Sequence, residues 1–234
     1  MAHVFHFFLP GGEPGTRGVV RRVCDQDARR MERVLRLRPG DEVEVADPAG
    51  TIWLARVVGG GEVELLEQLH APRPAPPLVV RLALTGPRSD TAIEKLVELG
   101  VEDITPLETA AIKREPRTVR WQRIAEAAAC QAKRPRIPRI GETVRLQDAL
   151  APGAVLLSHE EPDGTLDDAL AKVGRPLALL IGPEAGFTPA EHEAARQAGV
   201  PIATLGGALV LRTETAAIAA AVLALDRLGA LSPA

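Results

Sequence analysis

The 234-residue chain contains no tyrosine, four phenylalanines and two tryptophans. Stacking on aromatic platforms, a common means of holding unpaired bases, is therefore scarcely available. Cysteine is also scarce: Cys24 and Cys130 stand far apart, with no Cys or His at ligand spacing. That argues against a disulfide scaffold or a thiolate metal site and leaves two idle or buried thiols. The five histidines form no HxxxH or HxxE arrangement, so no metal is expected. The opening MAHVFHFFLPGG has neither the basic region nor the long apolar core of a secretory signal. The longest apolar run, residues 216–225, is about half of what a bilayer span requires. A soluble, cytoplasmic protein without membrane segments is the expectation.

What is present is ordinary in bulk, with 46% apolar and 25% charged residues. The net charge of −3 is unevenly distributed. Residues 1–39 hold eight Arg against four acidic residues, and residues 113–139 hold nine Lys or Arg against two. Two readings stand: a phosphate-binding face for RNA, or solvated helix faces in an Arg-rich chain.

Residues 1–70 alternate in short apolar runs punctuated by Gly and Pro turns such as RPGDE and DPAGT. Strands are expected over 3–9, 41–47, 51–58 and 62–69, interrupted by one helix over 25–37 with Met31, Val34 and Leu35 on one face. That spacing predicts a small β-barrel domain. The segment HAPRPAPP, 70–77, reads as a semi-rigid linker and a domain boundary. From residue 78 onward strands alternate with helices. Apolar strands are expected over 78–84, 103–107, 154–158, 177–181 and 201–205, and helices over 90–99, 117–134, 165–173, 188–198 and 213–228. Strands apolar throughout, each followed by a helix, indicate an α/β domain with a parallel sheet covered on both faces.

Two strand ends carry unusual chemistry. The run LALLI ends at Gly182-Pro183-Glu184-Ala185-Gly186, and Thr188-Pro189-Ala190-Glu191 then forms a capping box that secures the next helix. The following strand ends in LGGALVLRTETAA, where Gly206 and Gly207 again free the backbone. Thr213 or Thr215 can cap the helix after it, and Glu214 suits its dipole. Arg212 works against that dipole, which suggests another task. Each loop alone is compatible with a plain strand-to-helix turn. Together they outline a pocket at the carboxyl ends of strands, where α/β sheets bind ligands. Neither a dinucleotide fingerprint nor a phosphate-binding Lys loop is present.

These motifs, with EKLVELGVEDITPL (94–107) and RWQRIAEAAACQAKRPRIP (120–138), resemble in order and over nearly the whole chain the RsmE family. Its members are 16S rRNA uridine N3-methyltransferases of the SPOUT superfamily. The resemblance implies a small N-terminal PUA-like β-barrel for 1–70 and a SPOUT domain for 78–234. It also implies a C-terminal trefoil knot, a homodimer, and S-adenosyl-L-methionine as methyl donor. The matching cofactor-loop residues are Ile181, Gly182, Pro183, Glu184 and Gly186, then Leu205, Gly206, Leu211, Arg212 and Thr213. Residues 157–160, Leu157 and Ser158 foremost, supply a third wall at the end of the preceding strand. Two positions depart from the family pattern: Ala185 replaces a Gly, and Ala208 replaces a basic residue.

In that reading Arg212 stabilises negative charge developing on the uracil carbonyls, and Glu214, or else Glu184, accepts the N3 proton. Arg17, Arg21, Arg22, Arg29, Arg30 and Arg33 on the small domain, with Lys113, Arg114, Arg134 and Arg136 on the sheet domain, would contact phosphates of 16S rRNA in the small ribosomal subunit. Trp121 is expected in a helix core. The Ala-rich C-terminal helix and the 120–130 helix are candidate dimer surfaces. The alternatives are a non-catalytic RNA-binding module and an rRNA or tRNA methyltransferase with another target nucleotide.

Overall fold

The computed structural model describes residues 4–84, 86–113, 118–207 and 209–231. The chain divides into two compact units, residues 1–74 with 129–137 and residues 75–128 with 138–234. Residues 129–137 thus group with the N-terminal unit, whereas everything after residue 77 reads in sequence as one domain.

In the first unit, strands β1 (His6–Phe8), β2 (Val20–Arg22), β3 (Glu42–Ala46), β4 (Ile52–Gly59) and β5 (Glu62–His70) pair in the order β1-β3-β4-β5-β2. Strands β3, β4 and β5 form an antiparallel meander, and β1 joins β3 in parallel. Register shifts along β4 and β5 bend the sheet. Alternate residues Val43 and Val45, Trp53, Ala55 and Val57, and Val63 and Leu65 point into one core with Phe7 and Met31. Of these strands only β2, exposed and Arg-rich, has no counterpart among the expected elements.

The expected helix over 25–37 is shorter and not uniformly α. Helix α1 (Asp25–Arg29) passes into a π-helical turn over Arg30–Val34 and ends at Leu35, followed by Arg36 at φ 54°. The wider turn shifts the phase of later side chains. Met31 stays buried, but Val34 is 71% exposed instead of sharing its face. Cys24 is exposed and caps α1, accepting from the Asp27 N–H.

The second unit contains β6 (Leu78–Leu82), α2 (Pro87–Leu99), β7 (Asp103–Glu108), α3 (Thr118–Gln131, whose last turn groups with the first unit) and β8 (Arg139–Ile140). It continues with β9 (Val144–Arg145), α4 (Leu146–Ala149), β10 (Ala154–Leu157), β11 (Gly164–Thr165) and α5 (Leu166–Lys172). Last come β12 (Leu177–Ile181), α6 (Pro189–Gln197), β13 (Ile202–Thr204) and α7 (Thr213–Arg227). The sheet runs β11-β13-β10-β12-β6-β7-β8, with β9 beside β7, and all pairs are parallel. The five long strands and five long helices anticipated from sequence are present, because apolar runs and caps coincide. Helix α2 ends at Gly100 in the left-handed region, φ 103°.

After β13 the chain returns to place α7 against α2, β6 and β12. The buried alanines Ala217, Ala220, Ala221 and Ala224 allow that approach, facing a helix that buries Ala92, Ile93, Leu96 and Val97. The alanine stripe is thus used within the fold. Trp121 is buried in α3 as expected, donating to Ser89 Oγ at 3.2 Å.

Candidate active site

β12 ends in a tight turn in which Gly186 N–H donates to Pro183 O at 2.9 Å and Gly186 takes φ 72°. Only glycine adopts that conformation cheaply. Thr188 and Glu191 form the capping box, with Thr188 N–H donating to Glu191 Oε2 at 2.8 Å and Glu191 N–H to Thr188 Oγ1 at 3.3 Å. Gly182 lies against Phe187, and a Cβ there would come within 2.7 Å of the ring. Gly182→Ala is therefore expected to lower stability by about 1–3 kcal/mol through overpacking, measurable by urea unfolding. Ala185 is not among the non-glycine residues of positive φ, so its methyl fits without strain.

The wall beside this turn comes from the end of β10. Ser158 N–H donates to Ala203 O at 2.9 Å, and Ser158 Oγ accepts from Glu160 N–H at 3.1 Å. His192 Nε2, buried in α6, lies 3.1 Å from the same hydroxyl. The third wall follows β13, where Gly206 at φ 80° leaves open space where a Cβ would stand. Arg212 is itself the N-cap of α7 and makes no side-chain cap bond, so neither Thr213 nor Thr215 caps that helix. Thr213 is the first helical residue and is buried.

These loops enclose a cavity of about 360 Å³. Leu157, Ser158, Ile181, Gly182, Pro183, Glu184, Gly186, Leu205, Gly206, Leu211, Arg212 and Thr213 all line it. Glu214 does not line it, yet its Oε2 is buried with no hydrogen-bond partner among the described residues. Sequence reading missed Arg88, Phe187, Thr204, Leu209, Val210 and Ala216 in this lining. Leu209 and Val210 are 80% and 71% exposed, so the mouth is apolar on that side. Arg88 had a signal: Gly86-Pro87-Arg88 after β6 repeats the Gly-Pro-charge pattern of Gly182-Pro183-Glu184 after β12. The two tripeptides meet, and Arg88 pairs with Glu184.

The basic clusters fare unequally. Arg17, Arg22, Arg29, Arg30 and Arg33 are exposed and Arg21 is half-buried, with Arg30 stacked 5.9 Å over the Phe7 ring. Arg21 Nη1 donates to Glu13 O at 3.0 Å, and Arg22 pairs with Asp25 at 3.3 Å. Much of the 113–139 run is neutralised within the fold. Arg120 Nε donates to Asp90 at 3.0 Å, Arg139 Nε to Asp103 at 2.9 Å and Lys133 Nζ to Glu44 at 2.8 Å. Arg134 is 6% exposed, and the Arg136 guanidinium is held by the Arg73 and Ala49 carbonyls at 2.8 and 3.0 Å, both within the first unit. Burial withdraws Arg134 as a phosphate contact, whereas Arg136 is half-buried and its two carbonyl partners leave its charge in place. Lys113 is exposed, while Arg114 and Ala208 lie outside the described residues. Among the described residues no group of acidic, His or Cys side chains could hold a metal. No described helix is long and apolar enough to cross a membrane.

Comparison with known proteins meets this geometry. The RNA methyltransferase domain family matches residues 73–225, and the RNA methyltransferase PUA domain matches residues 31–67. Ribosomal RNA small subunit methyltransferase E of Mycobacterium tuberculosis is 32% identical over 225 residues, covering 87% of this chain and 85% of the relative. The chain belongs to the ribosomal RNA small subunit methyltransferase E family. A crystal structure of a family member from Neisseria gonorrhoeae, bound to S-adenosyl methionine, superposes with a TM-score of 0.79 at 27% identity. It covers 96% of this chain and 98% of its own. A probable rRNA-methyltransferase from Porphyromonas gingivalis gives 0.80 at 26% identity, covering 97% and 99%.

Proposed function

We propose that the chain transfers a methyl group from S-adenosylmethionine to N3 of a uridine in 16S rRNA of the small ribosomal subunit, acting as a cytoplasmic homodimer. One observation carries this reading. In a member of a methyltransferase family, a cavity of ligand size lies at the carboxyl ends of β10, β12 and β13, walled by glycine-bearing loops. The return of the chain from β13 to α7, against β6 and β12, supports the trefoil-knotted topology of the family.

When bound, S-adenosylmethionine supplies an activated methyl group, so the protein's work is mainly placement and charge. The backbone around Gly182, Gly186 and Gly206 and the side chains of Leu157, Leu205 and Leu211 hold the nucleoside. Uridine N3 must lose a proton, which spreads negative charge over its flanking carbonyl oxygens. Arg212, exposed at the cavity, stabilises that charge. Glu214, next to Thr213 but outside the cavity lining, has an unsatisfied carboxylate oxygen and accepts the proton through a water. The exposed arginines of the first unit bind phosphates and set register.

The test is to incubate the protein with labelled S-adenosylmethionine and unmodified small subunits, digest the RNA, and identify the labelled nucleoside by mass spectrometry. 3-Methyluridine is the expected product. Label in a different nucleoside would refute the target, and no label together with no donor binding would leave an RNA-binding module.

A further inference from the structure

We propose that Arg88 and Glu184 together recognise the amino-acid end of the methyl donor, Arg88 pairing with its carboxylate and Glu184 with its ammonium group. The inference rests on the reading of the cavity as an S-adenosylmethionine site.

Strands β6 and β12 are parallel neighbours with Ile181 opposite Leu82, so the tripeptides that follow them leave the sheet at the same end. One delivers a cation, Arg88, and the other an anion, Glu184, and both side chains line the cavity. Their side chains are 45% and 54% exposed. An ion pair that open to water adds little to folding, so fold stability does not account for it. The pair also opens readily for a competing ligand.

The charge inventory narrows the assignment. Glu184 is the one carboxylate among the described lining residues, where the cations are Arg88 and Arg212, with His159 titratable. An α-amino acid carries ammonium and carboxylate on a single carbon, and therefore requires opposite charges side by side. Arg88 and Glu184 provide that juxtaposition. Arg212, at the start of α7 and without a side-chain cap bond, is left for the acceptor. Adenine and ribose carry no charge and match the glycine-bearing walls and the apolar Leu157, Ile181 and Leu205. A ligand with an uncharged nucleoside end and a zwitterionic end thus finds a partner for each.

The deciding measurement compares S-adenosylhomocysteine with 5′-methylthioadenosine, two thioethers that differ by the amino-acid end. Calorimetric Kd values would be taken for the wild type, Arg88→Met, Arg88→Lys and Glu184→Gln. Arg88→Met is expected to weaken S-adenosylhomocysteine about 10–100-fold, as loss of a charge-assisted hydrogen bond requires. Its Kd for 5′-methylthioadenosine should stay within about twofold of wild type, which also shows that the cavity is intact. Arg88→Lys should recover part of the loss, and Glu184→Gln should weaken the same ligand selectively. Equal weakening of both ligands, or of neither, overturns the proposal. If the methionine variant binds both normally yet methylates rRNA poorly, the guanidinium serves the acceptor and the proposal is likewise overturned. If the wild type binds neither nucleoside, the methyltransferase reading itself falls.

Discussion

Arg212→Ala is expected to lower kcat for rRNA methylation by about 10²–10³-fold while changing the Kd of S-adenosylmethionine by less than about threefold. The magnitude is that of removing one donor from a site where negative charge develops. The two effects separate because Arg212 belongs to the cavity wall but does not form the backbone pocket. It stands at the N-cap of α7 with no side-chain capping bond, so the helix does not depend on its guanidinium. Single-turnover kinetics at saturating donor, paired with calorimetry, would measure both. A large loss of donor affinity with an unchanged single-turnover rate would place Arg212 in cofactor binding instead.

Asp47→Ala is expected to destabilise the N-terminal unit by about 2–4 kcal/mol, more than other single changes of comparable size there. Asp47 is buried and accepts from Gly15 N–H at 2.8 Å, Ala49 N–H at 2.9 Å, Thr51 N–H at 3.0 Å and Trp53 Nε1–H at 3.1 Å. Alanine would leave these donors without their acceptor. Burial pushes the Asp47 carboxyl up, but the four hydrogen bonds together outweigh it and hold the group below its usual value. A depressed carboxylate contributes stability that is fully present above its unfolded pKa of about 3.9 and is lost as pH falls through the folded value. Urea unfolding followed by tryptophan fluorescence should therefore show a large gap between wild type and variant at pH 7, narrowing below about pH 4. A gap independent of pH would show that the carboxylate charge is not what the donors hold.

The site was legible wherever its chemistry is local to the chain. Gly182, Gly186 and Gly206 punctuate apolar strands, and Thr188 with Glu191 writes the start of α6 within four residues. The twelve cofactor positions named from those loops and the β10 end share one cavity because all three strands end on the same side of a parallel sheet. What escaped sequence reading depends on partners distant along the chain. Arg88 gains its meaning from Glu184, nearly a hundred residues later. The basic run over 113–139 loses much of its charge to Asp90, Asp103 and Glu44, which a local count does not pair with it. Val34 was misplaced because a 3.6-residue period cannot anticipate a π turn.

The parallel sheet also governs when the site can come into being. With every ladder parallel, no pair of neighbouring strands in the second unit can zip up from a hairpin. The strands that end at the cavity lie between residues 154 and 204, and β12 must find β6 at residues 78–82. Such distant pairings make folding slow. On a translating ribosome the first unit waits for residue 137, and the cavity waits for α7, whose first residues close its wall. Ligand binding thus comes only after α7 has emerged, and a truncated product ending before residue 212 would bare the surfaces of α2, β6 and β12 that α7 covers, without a working pocket.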